Sequence, residues 1–502
     1  MITIIYSTHK GLEYNSNFKK HLLQTVGLED VEILEFINHN QYSLSQVYNS
    51  GITQSNHNIV VCCHNDIKLE KNWGKKLLQD FYKNPEFGII GKAGSCYFPE
   101  SGVYWEKMHQ TMVGQVYHHP EGQKKWVNKY SVKLPSLIPV VTIDGLFISF
   151  DKTKIKHTFD ETIGKFHFYD HLFCVPNYLD GVKIGVTSSF EITHESVGQP
   201  NQEFWESRVK FVEKWGNKLP LDLKPNGVNY LEIKNKPIKN FGKVAIIVPT
   251  KNNLDLLFSC VDSFYENVDP KLFEFFIADT GSEHENLILM KDKFSTQGNI
   301  TLLEYDYYNF AKINNDVVKK ITDKNIEFLL FCNNDVKLLN DVVSGMLKIY
   351  KQYPRAGTVG CRLHFEDNTV QHDGVILQPV SDPKKFHLTH SSLGSYYSYT
   401  QGIKEVMGNT AALMMIRKSV FEKIGGFNET YTTCFEDVEL NLTCRLIGFT
   451  NLYDGSLVAY HFESKTRGKD LENQKGEYYD YTNTLFPFIE KNYNKLFNNK
   501  LQ

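Results

Sequence analysis

The sequence predicts an α/β protein built as two tandem copies of one domain, and three observations predict it. First, "IVVCCHNDIKL" at 59–69 and "FLLFCNNDVKL" at 328–338 share an apolar run, an Asn-Asp pair, a β-branched residue, a lysine and a leucine. Second, further matched features follow in one order along both halves. Third, each half alternates apolar, strand-like runs with amphipathic segments such as "LDLLFSCVDSFYENV" at 254–268. That βαβ rhythm implies a largely parallel sheet.

The matches run in sequence. "ITIIYSTHK" at 2–10 faces "VAIIVPTKN" at 244–252, an apolar strand and a small polar turn in each case. "SLSQVYNSGI" at 43–52 faces "NFAKINNDVV" at 309–318, and "FGIIGKAGSCYF" at 87–98 faces "AGTVGCRLHF" at 356–365. "HFYDHLFCV" at 167–175 faces "CFEDVELNL" at 434–442, and "VTSSFEITHES" at 186–196 faces "LYDGSLVAYHFES" at 452–464. Asp170 and Asp437 are 267 positions apart, and so are His194 and His461. The expected organisation is a domain over 1–218, a linker over 219–242, a domain over 243–465 and a helical tail over 466–502. The linker holds three prolines and two glycines with little periodicity. The tail reads as a helix packed on the second domain, in preference to an aromatic and basic membrane-touching surface.

Composition narrows the class. A formal net charge of −3 offers no concentrated basic face, so no nucleic acid partner is expected. Nine cysteines form no CxxC pair, and Cys62, Cys63 and Cys332 lie inside apolar runs, as thiols in a reducing compartment do. The chain enters the strand-like "ITIIY" at once, and no apolar run is long enough to span a bilayer. A cytoplasmic protein is expected, with at most peripheral contact at the inner face of the membrane.

An Asp just after a buried strand sits at the carboxyl end of a sheet, the edge where open α/β folds bind ligands. Oxygen donors there suit a hard divalent cation, Mn2+ or Mg2+, shared with phosphates. Asn and Asp are also ordinary turn residues, but this pair occurs twice, each time with a His at a later strand end. His194 and His461 are therefore candidates to complete metal sites begun by Asp66 and Asp335. Glu436 and Asp437 fall in the first turn of a helix whose face carries Val438, Leu442 and Leu446. The helix dipole favours an ionised carboxylate there, although capping alone explains most such acids. The first half keeps only Asp170, with Tyr169 where Glu436 stands. A lone carboxylate facing a phosphate donor suits a general base. "YDYYNF" at 305–310 reads as a half-buried strand and turn, or as a sugar-stacking wall.

With these residues in hand, the second half resembles the inverting family-2 glycosyltransferases of the GT-A fold. The resemblance rests on "VAIIVPTKNN", "FIADTGS", "NFAKINN", "LLFCNNDV", "GCRLHFEDNTVQHDGVIL", "MGNTAALMMIRKSVFEKIGGFNE", "FEDVELNLTCRLIGF" and "YHFES", over nearly all of 243–467. The first half resembles a more divergent branch through "STHK", "SLSQVYNSGI", "HNDIKL", "TIDGLFISF", "FHFYDHLF" and "ITHES". The resemblance implies two tandem GT-A domains with Rossmann-like mixed sheets. It implies that Pro249, Thr250 and Asp279 hold the nucleoside of a nucleotide-diphospho-sugar donor, with Asn333 and Asn334 beside them. Asp335 and His461 would hold the metal, and Asp437, with Glu436 next to it, would act as base. In the first half Asp66 and His194 would hold the metal and Asp170 act as base, with Ser7, Thr8 and Asn65 near the nucleotide. Both copies carry Asn where the family often has its first Asp, and "INHN" at 37–40 replaces "DTGS" in the first half.

The implied reaction is a single inverting displacement onto a glycan, lipid-linked or protein-linked acceptor. Three readings stand: a bifunctional transferase, a chain with one working half and an accessory half, and a glycan-binding scaffold. A nucleotidyltransferase would need a basic Gly-rich loop that neither N-terminal strand has.

Overall fold

The computed structural model describes residues 1–106, 111–131, 137–198, 200–223, 227–228, 242–379, 386–462 and 471–498. The chain divides into two compact units, Met1–Pro225 with Ser395–Ser398, and Asn226–Gly394 with Tyr399–Gln502.

In the first unit the strand Ile2–Thr8 is buried on both faces. Ile2, Ile4 and Tyr6 enter one core cluster and Ile5 the other, as the two-residue period of a strand dictates. It lies parallel to Val31–Ile37 on one side and to Ile59–Cys63 on the other. Beyond Ile59–Cys63 the order continues through antiparallel Phe147–Asp151 to Phe87–Gly91, Lys183–Val186 and Ile138–Val140. Ser43 starts the helix Leu44–Gln54 with a capping box to Gln46, the signature visible in "SLSQ". A second sheet carries Ile67–Leu69 antiparallel to Ile192–His194.

The second unit repeats this plan. Lys243–Thr250 divides its side chains in the same way, with Val244, Ile246 and Val248 on one side of the sheet and Ala245 and Ile247 on the other. Its parallel neighbours are Phe273–Asp279 and Ile326–Cys332, followed by antiparallel Leu413–Arg417, then Ala356–His364 and Thr450–His461. The last strand does the work of two in the first unit: its end pairs antiparallel with Val336–Leu338. The sheets are therefore mixed: one antiparallel strand is set inside each parallel run, and in the first unit Ile138–Val140 adds another at the edge.

After the last strand, Leu471–Asp480 and Phe486–Tyr493 form helices. Leu485, Ile489 and Leu496 are buried against Tyr431, Val438 and Leu442. Burying each of these side chains stabilises the contact by about 1.5–3 kcal/mol. The packed helix is thus the observed form of the tail. Asp480, fully buried, accepts hydrogen bonds from the backbone amides of Thr432 (3.0 Å), Thr433 (2.6 Å) and Cys434 (3.2 Å).

Two expectations need adjustment. Leu221–Asp222, expected in the linker, pairs with Tyr97–Phe98 and belongs to the first unit. Of the expected linker, residues 224–226 and 229–241 lie outside the described residues, as do Glu463 and Ser464 of "YHFES". In "YDYYNF" there is no strand: the segment is the loop from the end of strand Ile300–Glu304 into the helix Phe310–Lys320, with Tyr305, Tyr307 and Phe310 packed on the core beneath and the Tyr307 hydroxyl donating to Asp316.

Candidate functional site

Each unit builds the same corner at the end of the parallel strand that borders the antiparallel one. In the second unit, Ile326–Cys332 runs into the turn Asn333–Asp335 and then into Val336–Leu338. The antiparallel register places Val336 opposite His461, so Asp335 meets a residue 126 positions later. His461 Nε2 stands 3.2 Å from Asp335 Oδ1, and the amide of Phe462 donates to the Asp335 carbonyl. In the first unit Ile67 pairs with His194, His194 Nε2 stands 3.3 Å from Asp66 Oδ2, and the amide of Glu195 donates to the Asp66 carbonyl.

The Asn of each turn reaches back to the first strand. Asn334 Nδ2 donates to Thr250 Oγ1 at 2.9 Å, and Asn65 Nδ2 to Thr8 Oγ1 at 2.8 Å. Thr250 in turn faces Asp279 across the parallel pair, and Asp279 accepts from the amides of Gly281 and Ser282. Pro249 and Ser7 lie one residue earlier on their strands. In the first unit the position across from Thr8 is Ile37, so the acid of "DTGS" has no counterpart there.

The helix-start acids are wired alike too. Asp437 Oδ2 accepts from the amide of Ala411 (2.9 Å) and Oδ1 from that of Val438 (2.7 Å). Asp170 Oδ2 accepts from the amide of Gly145 (2.9 Å) and Oδ1 from that of His171 (2.9 Å). The neighbouring residues close the circuit: Asn333 N donates to Ala412 O, and His64 N to Leu146 O. The acid and the Asn-Asp corner are thereby joined through one strand start, without a direct bond between Asp437 and Asp335 among the described residues. Phe435 and Phe168, two positions before each Asp, adopt left-handed backbone with φ of 77° and 64°. For a bulky residue this costs about 1–3 kcal/mol and clusters at functional sites. Glu436 is buried in the first turn beside Asp437, and Tyr169 holds its place in the first unit.

The backbone circuit corrects one expectation. The residue equivalent to Asn333 in the first unit is His64, not an Asn, because the two make the same bond to the following strand start. His64, Asp66 and His194 bring their donor atoms within 4.8 Å of one another, a group able to hold a metal ion. The signal was present in "HNDIKL" and became readable only with the register. Gln371 is a second residue missed by sequence reasoning: its Oε1 lies 2.7 Å from His461 Nδ1, the kind of outer partner that orients a ligating imidazole.

Electrostatics suit cation binding. Burial opposes ionisation of Asp66, but the His194 hydrogen bond and the charges of His64 and His194 hold its carboxyl well below the usual range. Burial lowers the His64 imidazole, against the pull of Asp66, which favours the neutral, ligating form. In the second unit Asp335 Oδ1 is buried and, among the described residues, accepts no hydrogen bond, its neighbour being His461. An oxygen left in that state fits a site meant for a cation. Burial also pushes the Asp170 carboxyl up, with Asp144 adding to the effect.

Two Asp–His corners, one buried and one partly exposed, thus stand at the carboxyl ends of two like sheets, the arrangement of a tandem pair of domains. Residues 11–215 match the family model described as glycosyltransferase like family, and residues 245–425 match glycosyl transferase family 2. The chain thus carries two glycosyltransferase family domains in tandem on mixed α/β sheets. It is 30% identical over 237 residues to the O-antigen biosynthesis protein RfbC of Myxococcus xanthus, covering 47% of this chain and 18% of that protein. It is 23% identical over 156 residues to the N-acetylglucosaminyl-diphospho-decaprenol L-rhamnosyltransferase of Mycobacterium tuberculosis, covering 29% of this chain and 50% of that protein. The chain thus spans half or less of the length of these relatives. Among solved structures it is similar to GalNAc-T7 with UDP, GalNAc and Mn2+, with a TM-score of 0.36, 11% identity, and 45% and 44% of the two chains covered.

Proposed function

We propose that the chain is a divalent-cation-dependent, inverting and bifunctional glycosyltransferase of surface-glycan synthesis, with a donor site in each of two domains, 1–218 and 243–465. The observation that carries this reading is the duplicated wiring: Asp–His pair, Asn–Thr bond and amide-held helix-start Asp recur in both units with distances matching to within about 0.2 Å. A domain that only bound glycan would have no use for that arrangement twice. Asp335 with His461, and Asp66 with His194, would hold Mn2+ or Mg2+. The cation, when bound, supplies Lewis-acid neutralisation of the charge on a departing nucleoside diphosphate.

The protein's own groups do the rest. Thr250, Asp279 and Asn334, on the edge of the sheet with Pro249, hold the nucleoside; Thr8 and Asn65, with Ser7, serve the first unit. Asp437 and Asp170, each fixed by two amides, take the proton from the acceptor hydroxyl as it attacks, and Glu436 shapes the second of these sites. One displacement inverts the anomeric centre and needs no enzyme nucleophile. Similarity to an O-antigen protein and to a rhamnosyltransferase supports a glycan acceptor, lipid-linked or protein-linked. The reading also places the chain in the cytoplasm, with at most peripheral membrane contact; among the described residues no helix is long and apolar enough to cross a membrane.

Calorimetric titration of UDP, GDP, dTDP and CDP with Mn2+ tests this. Two equivalents bind the wild type, and Asp66→Ala and Asp335→Ala each remove one. A single equivalent lost only in Asp335→Ala would make the first unit an accessory domain. No binding at all would leave the scaffold reading.

A further inference from the structure

We propose that the two units hold their cations by different means: the first keeps a transition-metal ion on His64, Asp66 and His194 without nucleotide, and the second takes its cation only together with a diphosphate. The inference rests on the donor-site reading for the second unit alone; the first site stands on its three side chains.

The donor sets differ in number and in chemistry. In the first unit two imidazoles flank one carboxylate, with His64 Nδ1 3.8 Å from Asp66 Oδ1 and His194 Nε2 3.3 Å from Asp66 Oδ2. Metal–ligand bonds of about 2.0–2.2 Å separate neighbouring donors by roughly 3–3.5 Å, so these atoms need to move little to share one ion. The Tyr169 hydroxyl lies 2.8 Å from His64 Nε2, which aims Nδ1 at the carboxylate. That is the outer contact by which ligating imidazoles are oriented. Ser196 Oγ, 3.0 Å from His194 Nε2, turns aside or remains as a neighbour.

The second unit lacks the third donor. Asn333 stands where His64 does and turns its Nδ2 to His461 Nε2 at 3.1 Å. An amide nitrogen cannot ligate, and its oxygen is a neutral, weak donor. Asp335 and His461 remain, and a hard ion on so few ligands completes its shell from phosphate and water. Access differs in the same sense. The Asp66 side chain is 26% exposed and that of Asp335 6%, so only the first corner is open to an ion arriving alone.

Two imidazoles and a carboxylate rank Co2+, Ni2+ and Zn2+ far above Mg2+. The first unit accordingly discriminates among metals by itself, while the second leaves that choice to the donor it binds. The residue that divides them is His64.

Co2+ is the probe, titrated into metal-stripped, nucleotide-free full-length protein and read by d–d absorption and equilibrium dialysis. One Co2+ per chain is expected, with 100-fold excess Mg2+ failing to displace it. His64→Asn weakens binding at least tenfold; Asp335→Ala leaves it unchanged. Asn333→His, which gives the second unit the set of the first, brings a second equivalent, and this gain decides the matter should His64→Asn fold poorly. No Co2+ bound without nucleotide, loss in Asp335→Ala, or no gain in Asn333→His overturns the proposal. Nucleoside diphosphate titrations on the same proteins separate the two readings. Nucleotide bound by both units without Co2+ affinity sinks only this inference; Co2+ bound at His64 without any nucleotide affinity sinks only the donor-site reading.

Discussion

Replacing Asp437 with Asn lowers turnover by the second unit about 10²–10⁴-fold, the usual contribution of a positioned base, and leaves nucleoside diphosphate binding intact. The substitution is nearly isosteric, and the new amide still has one oxygen to accept from Ala411 or Val438. What disappears is the capacity to take a proton. The measurement belongs in an Asp66→Ala background, where the first unit is silent, and hydrolysis of the nucleotide sugar serves as readout before an acceptor is known. A raised KM with unchanged kcat would assign Asp437 to binding instead. The reciprocal variant, Asp170→Asn with Asp335→Ala, behaves alike, with one difference in pH. Burial raises the Asp170 carboxyl, so as pH falls the first unit loses its ionised base sooner than an ordinary carboxylate would allow. The acid limb of its rate profile is therefore displaced upward in pH from where an unperturbed Asp would put it.

The second large effect comes from outside the site. Asp480→Ala lowers the stability of the second unit by about 3 kcal/mol and reduces its kcat as well. Asp480 is buried, and its carboxylate satisfies three consecutive amides and the Thr432 hydroxyl. Each buried donor left without a partner costs about 1–3 kcal/mol, reduced where water can enter. The loop so held leads through Phe435, in its left-handed conformation, straight to Glu436 and Asp437. Denaturant unfolding and steady-state kinetics on the same variant check both parts. A destabilised protein with native kcat would show that the contact fastens the tail and does not position the base.

Much of this was legible in the chain because the duplication preserved spacing. The equal interval from Asp170 to Asp437 and from His194 to His461 survives only if the helix and strands between acid and His keep their lengths. Strand ends were readable from apolar runs that stop at polar turns, which is why Asp335 and His461 could be paired before the register was known. His64 escaped because matching the Asn-Asp letters hides which residue makes the bond to the next strand start. Gln371 escaped for another reason: Val370–His372 folds back on Ala356–His364 across a register shift, and no periodic pattern announces so short a strand. Asp480 joins a loop 46–48 residues earlier by backbone amides, which leave no trace in residue type. The tail, by contrast, was read from the sequence as a packed helix, and Leu485 and Ile489 are the residues that pack.

The Asp480 contact also imposes an order on biosynthesis. The first unit has all its sheet partners once Asp222 has left the ribosome, whereas the loop before Asp437 must wait for residue 480. At ordinary elongation rates that interval is on the order of half a minute. During it, each nascent chain carries one finished Asp–His corner while the loop before the second helix-start Asp is still without its anchor.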